Sequence, residues 1–454
     1  MAETSLASVD RSRRRTRFLL SLLPALLIGL AFGLGKIVRD CSLTCNVGYE
    51  LTPIAIIAVG LLAVPISAAM VRMTFKLGYR RWQVWSMAVI ALSFFLFWIG
   101  TYLVVTGYET IAETFASEEN WNIPVRLIYL GFFVWLGAVA TVFAPSIKRT
   151  IYKLYKKQDR AKMLAYSTAA LILGGLIGGF IASAFVPDIM MRLNLRYELA
   201  RDTLILGMGM VMLCVIPVIL ILDRIFPADF ALPDDQHHID DAHPMYANVP
   251  KINFRTGIGW IVRDVKLRHM AALIVMRGMA ETVLIYLFYW LVSNQAPAIN
   301  GRTMFFADFY IVLNASTLLL LVFGANRIIN RIGLISTLLI LPVTLLLGTS
   351  YLVFQAIMVV TYILRIADGT LEQALYSQGL DRMVLQVDET QAQAVRPIFQ
   401  GLIIRIGRSL AAVFLLILSF GLDFSFTQMT YFFLAVLVVW IATVFFLKPH
   451  LSPS

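Results

Sequence analysis

The chain has 454 residues, of which 59% are Ala, Val, Ile, Leu, Met, Phe, Trp, Tyr or Cys and only 14% are Asp, Glu, Lys or Arg. Soluble domains run near 45–50% apolar and about 25% charged, so a mean hydropathy of +0.79 excludes an ordinary water-soluble core. A net charge of +11 often signals a nucleic-acid partner, but here the basic residues lie between long apolar runs, where orientation in a bilayer accounts for them. Three cysteines exclude a disulfide framework.

A helix that crosses a bilayer needs about 20 mostly apolar residues. Twelve stretches qualify: 18–38, 52–73, 83–105, 125–146, 163–186, 202–223, 268–292, 304–325, 332–350, 352–376, 397–421 and 426–447. Ahead of the first, residues 1–17 carry Arg11, Arg13, Arg14, Arg15 and Arg17. No small-residue cleavage site ends that apolar run, so it reads as an uncleaved first helix with a basic cytoplasmic anchor. Cys41 and Cys45 at its far end have helical i,i+4 spacing, near the upper limit for bridging, and are expected as free thiols. Arg72, Lys76, Arg80 and Arg81 fill the second loop, and Lys148, Arg149, Lys153, Lys156, Lys157, Arg160 and Lys162 the fourth. The loop after the third span holds Glu109, Glu113, Glu118 and Glu119 and no basic residue. The positive-inside rule therefore places both termini in the cytoplasm, in keeping with an even number of spans.

Farther along, Gly174-Gly175 and Gly178-Gly179 set small residues four apart on the fifth span, a pattern for close helix packing. A polar connector, 225–267, with Pro227, Pro233, Pro244 and Pro250, separates a six-helix bundle at 18–224 from another at 268–447, and a short tail, 448–454, follows. The connector's His237, His238 and His243, with Asp234, Asp235, Asp240 and Asp241, match no tetrahedral metal spacing and read as a solvated acidic loop. Asn314-Ala315-Ser316 is a glycosylation sequon inside a span and is expected to stay unmodified. The ninth and tenth spans are separated at Gly348-Thr349-Ser350, a weak-helix stretch suited to a turn. The tenth is the most polar, so the count is eleven or twelve.

Charge at the bilayer centre costs about 2.5–3.5 kcal/mol or more per residue, so charged groups within spans are the functional candidates. The first span ends with Lys36, Arg39 and Asp40. Arg277 and Glu281 form an i,i+4 pair on the seventh, and Asp308 opens the eighth. Arg365, Asp368 and Glu372 share a stripe of the tenth at i, i+3, i+7. Arg405 and Arg408 lie on one face of the eleventh with no acid four residues to either side. Structural salt bridges and end residues reaching for the interface are the alternative for the first groups. Two guanidiniums without a local acid suit a phosphate or carboxylate, or a gate.

Several of these stretches resemble one family. Gly35-Lys36-Ile37-Val38-Arg39-Asp40, followed by Gly48 and Pro53, is similar to the first-span segment of the ATP/ADP antiporters of plastids and obligate intracellular bacteria. Trp135, the charged run Gln158-Asp159-Arg160-Ala161-Lys162, Asp381-Arg382, and Gly401 to Ser409 with its Arg405 and Arg408 resemble further segments of that family in order. The nucleotide exchangers themselves carry a Glu just before the span-four tryptophan and a lysine after the tryptophan of span seven. Here Tyr129 to Trp135 and Phe288-Tyr289-Trp290-Leu291 supply neither, although Glu281 matches the span-seven Glu. Phe75-Lys76-Leu77-Gly78-Tyr79-Arg80-Arg81 resembles the general loop of major-facilitator proteins, without its acid.

The resemblance implies an all-α, major-facilitator-type transporter, a bacterial relative of those exchangers rather than an ATP/ADP exchanger itself. The expected function is secondary active transport of a small anionic, nucleotide-like or phosphorylated solute by alternating access. A facilitator or exporter of amphipathic compounds or lipids is the alternative within transport, and a non-transporting scaffold or intramembrane enzyme the alternative outside it. No P-loop pattern occurs, so hydrolysis-driven pumping is not expected. No cofactor is implied, and the expected partners are the anionic substrate and membrane lipids, without nucleic acid, around a monomer in a bacterial cytoplasmic (inner) membrane.

Overall fold

The computed structural model describes residues 2–77, 79–112, 122–155, 157–193, 197–226, 254–296, 299–384 and 398–451, with the single positions 387, 391 and 395. The connector histidines and aspartates, and Glu113, Glu118 and Glu119, lie outside the described residues. Among those described, no strand occurs. The first half comprises α1 (Ala2–Ser42), α2 (Thr52–Leu77), α3 (Tyr79–Ala112), α4 (Asn122–Leu154), α5 (Lys157–Leu193) and α6 (Tyr197–Ile225). The second comprises α7 (Val265–Gln295), α8 (Ile299–Leu319), α9 (Leu334–Phe354), α10 (Met358–Leu371), α11 (Ile404–Leu416) and α12 (Phe426–Leu451). A short helix, Phe254–Arg263, precedes α7, whose start is set by Asp264: its carboxylate accepts from the backbone N–H of Lys266 at 2.8 Å and Leu267 at 3.2 Å.

Among the described residues, eleven helices are long and apolar enough to cross a membrane. The twelfth is the tenth in order, where α10 continues through a π-helical turn, Glu372–Tyr376, into Ser377–Val384. It carries Arg365, Asp368 and Glu372 and is not among the eleven. The break before it falls later than the sequence suggests. Helix α9 runs unbroken through Gly348-Thr349-Ser350 to Phe354, and the chain turns at Gln355–Ile357. Thr349 is fully buried in this helix, so packing overrides a weak local preference.

Within the first half α1 packs on α5 and α6, α3 on α6 and α2 on α4; within the second α7 packs on α11 and α12, and α9 on α12 and α10. The halves meet along α2 with α11 and α5 with α8, and α1 also reaches α8. The paired glycines of α5 serve two neighbours. A Cβ on Gly174 would fall 2.0 Å from the Leu26 carbonyl oxygen of α1, and one on Gly178 2.9 Å from that of Leu30. Gly175 and Gly179 face the other half, against Asn314 and Ile311 of α8. Helix α5 is thus wedged between its own bundle and the opposite one.

The apolar core of the first half does not stop at the interface. It takes in Phe288, Tyr289 and Val292 of α7 and Phe306, Phe309 and Tyr310 of α8. All lie toward the end of the bundle that holds the loop between α1 and α2, whereas the start of α1 and the end of α12 belong to the other end. Side-chain hydrogen bonds between the halves, Cys41 with Thr303, Ser183 with Asp308, Arg302 with Thr44 and Tyr310 with Asp40, also lie toward the loop end. Tyr49 of that loop stacks edge-on against Tyr286 and Trp290 of α7, with ring centroids 5.9 and 6.2 Å away. The loop end thus carries polar and aromatic contacts between the halves.

The close approach of α1 and α5 generates a stability prediction. Gly174→Ala is expected to lose about 1–3 kcal/mol through overpacking, lowering the thermal unfolding midpoint in detergent. Gly401→Ala, where a Cβ meets nothing within 4 Å, serves as the comparison and is expected to leave the midpoint unchanged. Equal midpoints for the two variants would contradict the wedge.

Candidate functional site

Lys36, Arg39 and Asp40 occupy the last two turns of α1, before a π-helical turn, Leu43–Val47, and a 3-10 turn, Tyr49–Leu51. The reversal pivots on Gly48 at φ +101°, a backbone region that side chains resist. Asp40 is buried and doubly held: Arg39 Nε donates to one oxygen at 2.6 Å, and the Tyr310 hydroxyl of α8 donates to the other at 2.5 Å. The Arg39 guanidinium also lies over the Phe133 ring, 5.0 Å from its centroid. Lys36 faces Tyr310 from 5.7 Å, and its ammonium feels Arg365 and Glu281 across the interface. Lys36 and Asp40 therefore meet the second half, and Arg39 holds Asp40 from the same helix.

On the other side, α7, α10 and α11 build a charged cluster. Asp368 of α10 is fully buried, and two guanidiniums converge on it. Arg277 Nη2 lies 3.1 Å from one oxygen, and Arg365 Nη1, one helical turn earlier, donates to the other. The expected intrahelical pair of Arg277 with Glu281 is present but loose, at 3.9 Å. Asp368 supplies the closer charge. Glu281 instead receives Arg408 of α11, with Nη2 at 2.7 Å and Nε at 3.2 Å on the same oxygen. Arg408 thus has an acidic partner, which its own helix does not reveal.

That pairing depends on backbone proximity. Gly278 and Gly407 let α7 and α11 touch: a Cβ on Gly407 would fall 2.3 Å from the Val275 carbonyl oxygen, and one on Gly278 2.6 Å from that of Ile404. Two of the candidate cations stay apart from the ion pairs among the described residues. Arg405, one turn before Arg408, is half-buried without a carboxylate partner, and Lys36 has only the aromatic contact. Glu372, at the head of the π-helical turn, lies near Arg277 and Arg408 without an ion pair. Asp308 is exposed on α8, 3.5 Å from the Ser183 hydroxyl, and is not part of the cluster.

Another buried network escaped the sequence reading. Arg201 of α6, fully buried, donates to Asp202 at 2.9 Å, to the Tyr129 hydroxyl at 2.7 Å and to the Asn46 side-chain oxygen at 2.9 Å. Tyr129 donates in turn to Asp202 at 2.6 Å. Arg302 of α8 donates to the backbone oxygens of Thr44 and Ser293 at 2.8 and 2.9 Å. Both arginines pin the loop between α1 and α2. The signal for Arg201 was an adjacent Arg-Asp pair where the sixth apolar run begins, a position that otherwise reads as an ordinary helix end. Trp135 lies elsewhere: its indole donates to Ser93 at 2.7 Å and helps wall an apolar cavity of about 220 Å³ with Trp82, Trp85 and Ile90. His269 bonds the Val265 carbonyl on its own helix at 2.6 Å. No group of three His, Cys, Asp or Glu able to hold a metal occurs among the described residues.

Asp368 is the keystone of the cluster. Breaking a buried pair by removing one partner costs about 3–5 kcal/mol, because the remaining charge is stranded. Asp368→Asn, which strands two, is expected to lose at least that much in chemical unfolding, whereas Asp308→Asn stays within about 0.5 kcal/mol of the unaltered protein. Similar losses for the two variants would remove Asp368 from this role.

No family model matches the sequence, and no curated protein does. Solved structures do match, over nearly the whole chain. A bacterial homologue of the human lysosomal transporter Spinster, inward-facing and unoccupied, superposes with a TM-score of 0.59 at 13% identity, covering 97% of this chain and 99% of its own. The xylose transporter XylE from E. coli, inward open, gives 0.57 at 11% identity and 96% of each chain. The nucleoside transporter NupG gives 0.53 at 12% identity, with 95% of this chain and 99% of that one. The chain is a polytopic membrane protein with the major-facilitator fold.

Proposed function

We propose that this protein is a secondary transporter that moves a small anionic solute, phosphorylated or nucleotide-like, by alternating access in a bacterial cytoplasmic membrane. One observation carries the choice of an anion. The cluster between the halves contains six cations, Lys36, Arg39, Arg277, Arg365, Arg405 and Arg408, against four carboxylates, Asp40, Glu281, Asp368 and Glu372. Lys36 and Arg405, without carboxylate partners, are the groups left to receive a ligand. An arginine cannot discard its proton, so an anion is the natural counterpart.

The orientation comes from the loop charges. With the basic loops in the cytoplasm, the loop end, with its contacts between the halves, faces outward and this conformation corresponds to the inward-facing state. Arg408 and Glu281 then act as a gate within the second half, and Asp40 with Tyr310 as the latch between halves. Arg277 supports a change of partners: its Nε and Nη1 are buried without a hydrogen bond. A second reading, movement of an amphipathic compound, draws on the apolar cavity walled by Trp82, Trp85 and Trp135.

The test is counterflow in proteoliposomes with radiolabelled phosphorylated solutes. Losing one charge-assisted contact, worth about 1.5–3 kcal/mol, weakens apparent affinity roughly 10- to 100-fold. That loss is expected for Lys36→Ala and Arg405→Ala, with Arg405→Lys recovering part of it. Arg408→Ala is expected to slow exchange and to be relieved by Glu281→Gln, as a gate requires. Saturable transport of an uncharged amphipathic solute, indifferent to both Lys36→Ala and Arg405→Ala, would favour the second reading and defeat the first.

A further inference from the structure

Cys41 and Cys45 stand at the loop end rather than in the charged cluster. Their sulfur atoms lie 3.5 Å apart, and both are free thiols. Cys41 is fully buried, and its Sγ lies 3.1 Å from Thr303 Oγ1 of α8, a contact across the interface between halves. Thr303 is itself fully buried. Two guanidiniums flank the pair: Arg201 Nη1 is 4.0 Å from Cys41 Sγ, and Arg302 lies beside Cys45. Cys45 belongs to the π-helical turn Leu43–Val47, whose Thr44 carbonyl is held by Arg302.

We infer that Cys41 and Cys45 are a thiol–disulfide modification site whose oxidation loosens the contact between α1 and α8. The reagent is a small-molecule disulfide. The more accessible Cys45, as thiolate, attacks one sulfur of the reagent and expels its other half as a thiolate. Cys41, as thiolate, then attacks the Cys45 sulfur of that mixed disulfide and expels the second half. The protein loses two electrons and two protons, and the reagent ends as two thiols. Attack requires the thiolate, and neighbouring guanidiniums are suited to the negative charge that develops on sulfur.

The consequence follows from distance. A disulfide holds its sulfurs about 2.05 Å apart, so closure draws the Cys41 and Cys45 sulfurs together by roughly 1.5 Å. Cys41 then has no S–H to offer, and the bridge pulls its sulfur toward Cys45 and away from Thr303. A bond within the first half replaces a contact between halves. The outward orientation proposed above would expose this site to the more oxidising compartment, but the chemistry does not depend on transport.

The experiment uses the full chain in lipid nanodiscs with Cys214, the exposed cysteine of α6, replaced by serine. The protein is treated with glutathione disulfide or with a phosphine reductant, alkylated and weighed intact. In parallel, amide hydrogen exchange is followed over residues 43–51 and 299–310. The expected result is loss of both alkylatable thiols without retained glutathione and roughly tenfold faster exchange in both segments, the order of one lost buried hydrogen bond. Reductant reverses both changes, and neither the bridge nor the faster exchange occurs in Cys45→Ser. Three results would each overturn the inference: two thiols still alkylatable under conditions that oxidise a control dithiol peptide, a persistent glutathione adduct, or a disulfide with unchanged exchange. None of these readouts measures solute movement, so failure here leaves the transport proposal standing.

Discussion

Arginine keeps its proton in any protein interior, so each guanidinium placed within a membrane span must be met by an anion, a carbonyl or water. That constraint organises the middle of this molecule. Asp368 is shared by Arg277 and Arg365, which ties α7 to α10 through a carboxylate with no solvent contact. Glu281 takes Arg408 and ties α7 to α11. Asp40 takes Arg39 and the Tyr310 hydroxyl and ties α1 to α8. Glu372 makes no ion pair, and Lys36 and Arg405 are the candidate cations left without a carboxylate partner among the described residues.

Packing and charge depend on each other. Arg408 reaches Glu281 because Gly278 and Gly407 allow α7 and α11 backbone contact. Helix α5 lies close to both bundles because Gly174 and Gly178 fit α1 while Gly175 and Gly179 fit α8. In lipid, helix association gains little from the hydrophobic effect and relies on close packing and polar contacts. The two contribute at different places here: glycines along α1, α5, α7 and α11, hydrogen bonds at the loop end. Contacts of the second kind can be exchanged without dismantling a bundle, as alternating access requires.

The helices were legible because hydropathy reports length directly. The tenth helix was harder to bound. Its charges hide it from an apolar window, and its start was misplaced because Gly348 and Ser350 look like a turn when viewed without Thr349's buried neighbours. Candidate charges were visible one helix at a time, but their partners were not. Arg408 looked isolated since Glu281 lies 127 residues away, and Arg277 looked paired with Glu281 although Asp368 is nearer. Arg201 was passed over because an arginine beside the first residue of an apolar run usually faces the interface. Burial reverses that reading, and sequence does not report burial for an isolated residue.

In the proposed transport cycle, the contacts between the halves at the loop end give way to contacts at the opposite end when an anion occupies the charges between them. Pairs of spin labels measure it most directly. One pair sits on exposed Ile123 of α4 and Phe354 of α9 at the loop end, and another on exposed Leu77 of α2 and Ile332, just before α9, at the opposite end. On addition of a transported phosphorylated solute, the account predicts that the first distance grows while the second shrinks. Distances that stay fixed, or that lengthen together, would contradict it.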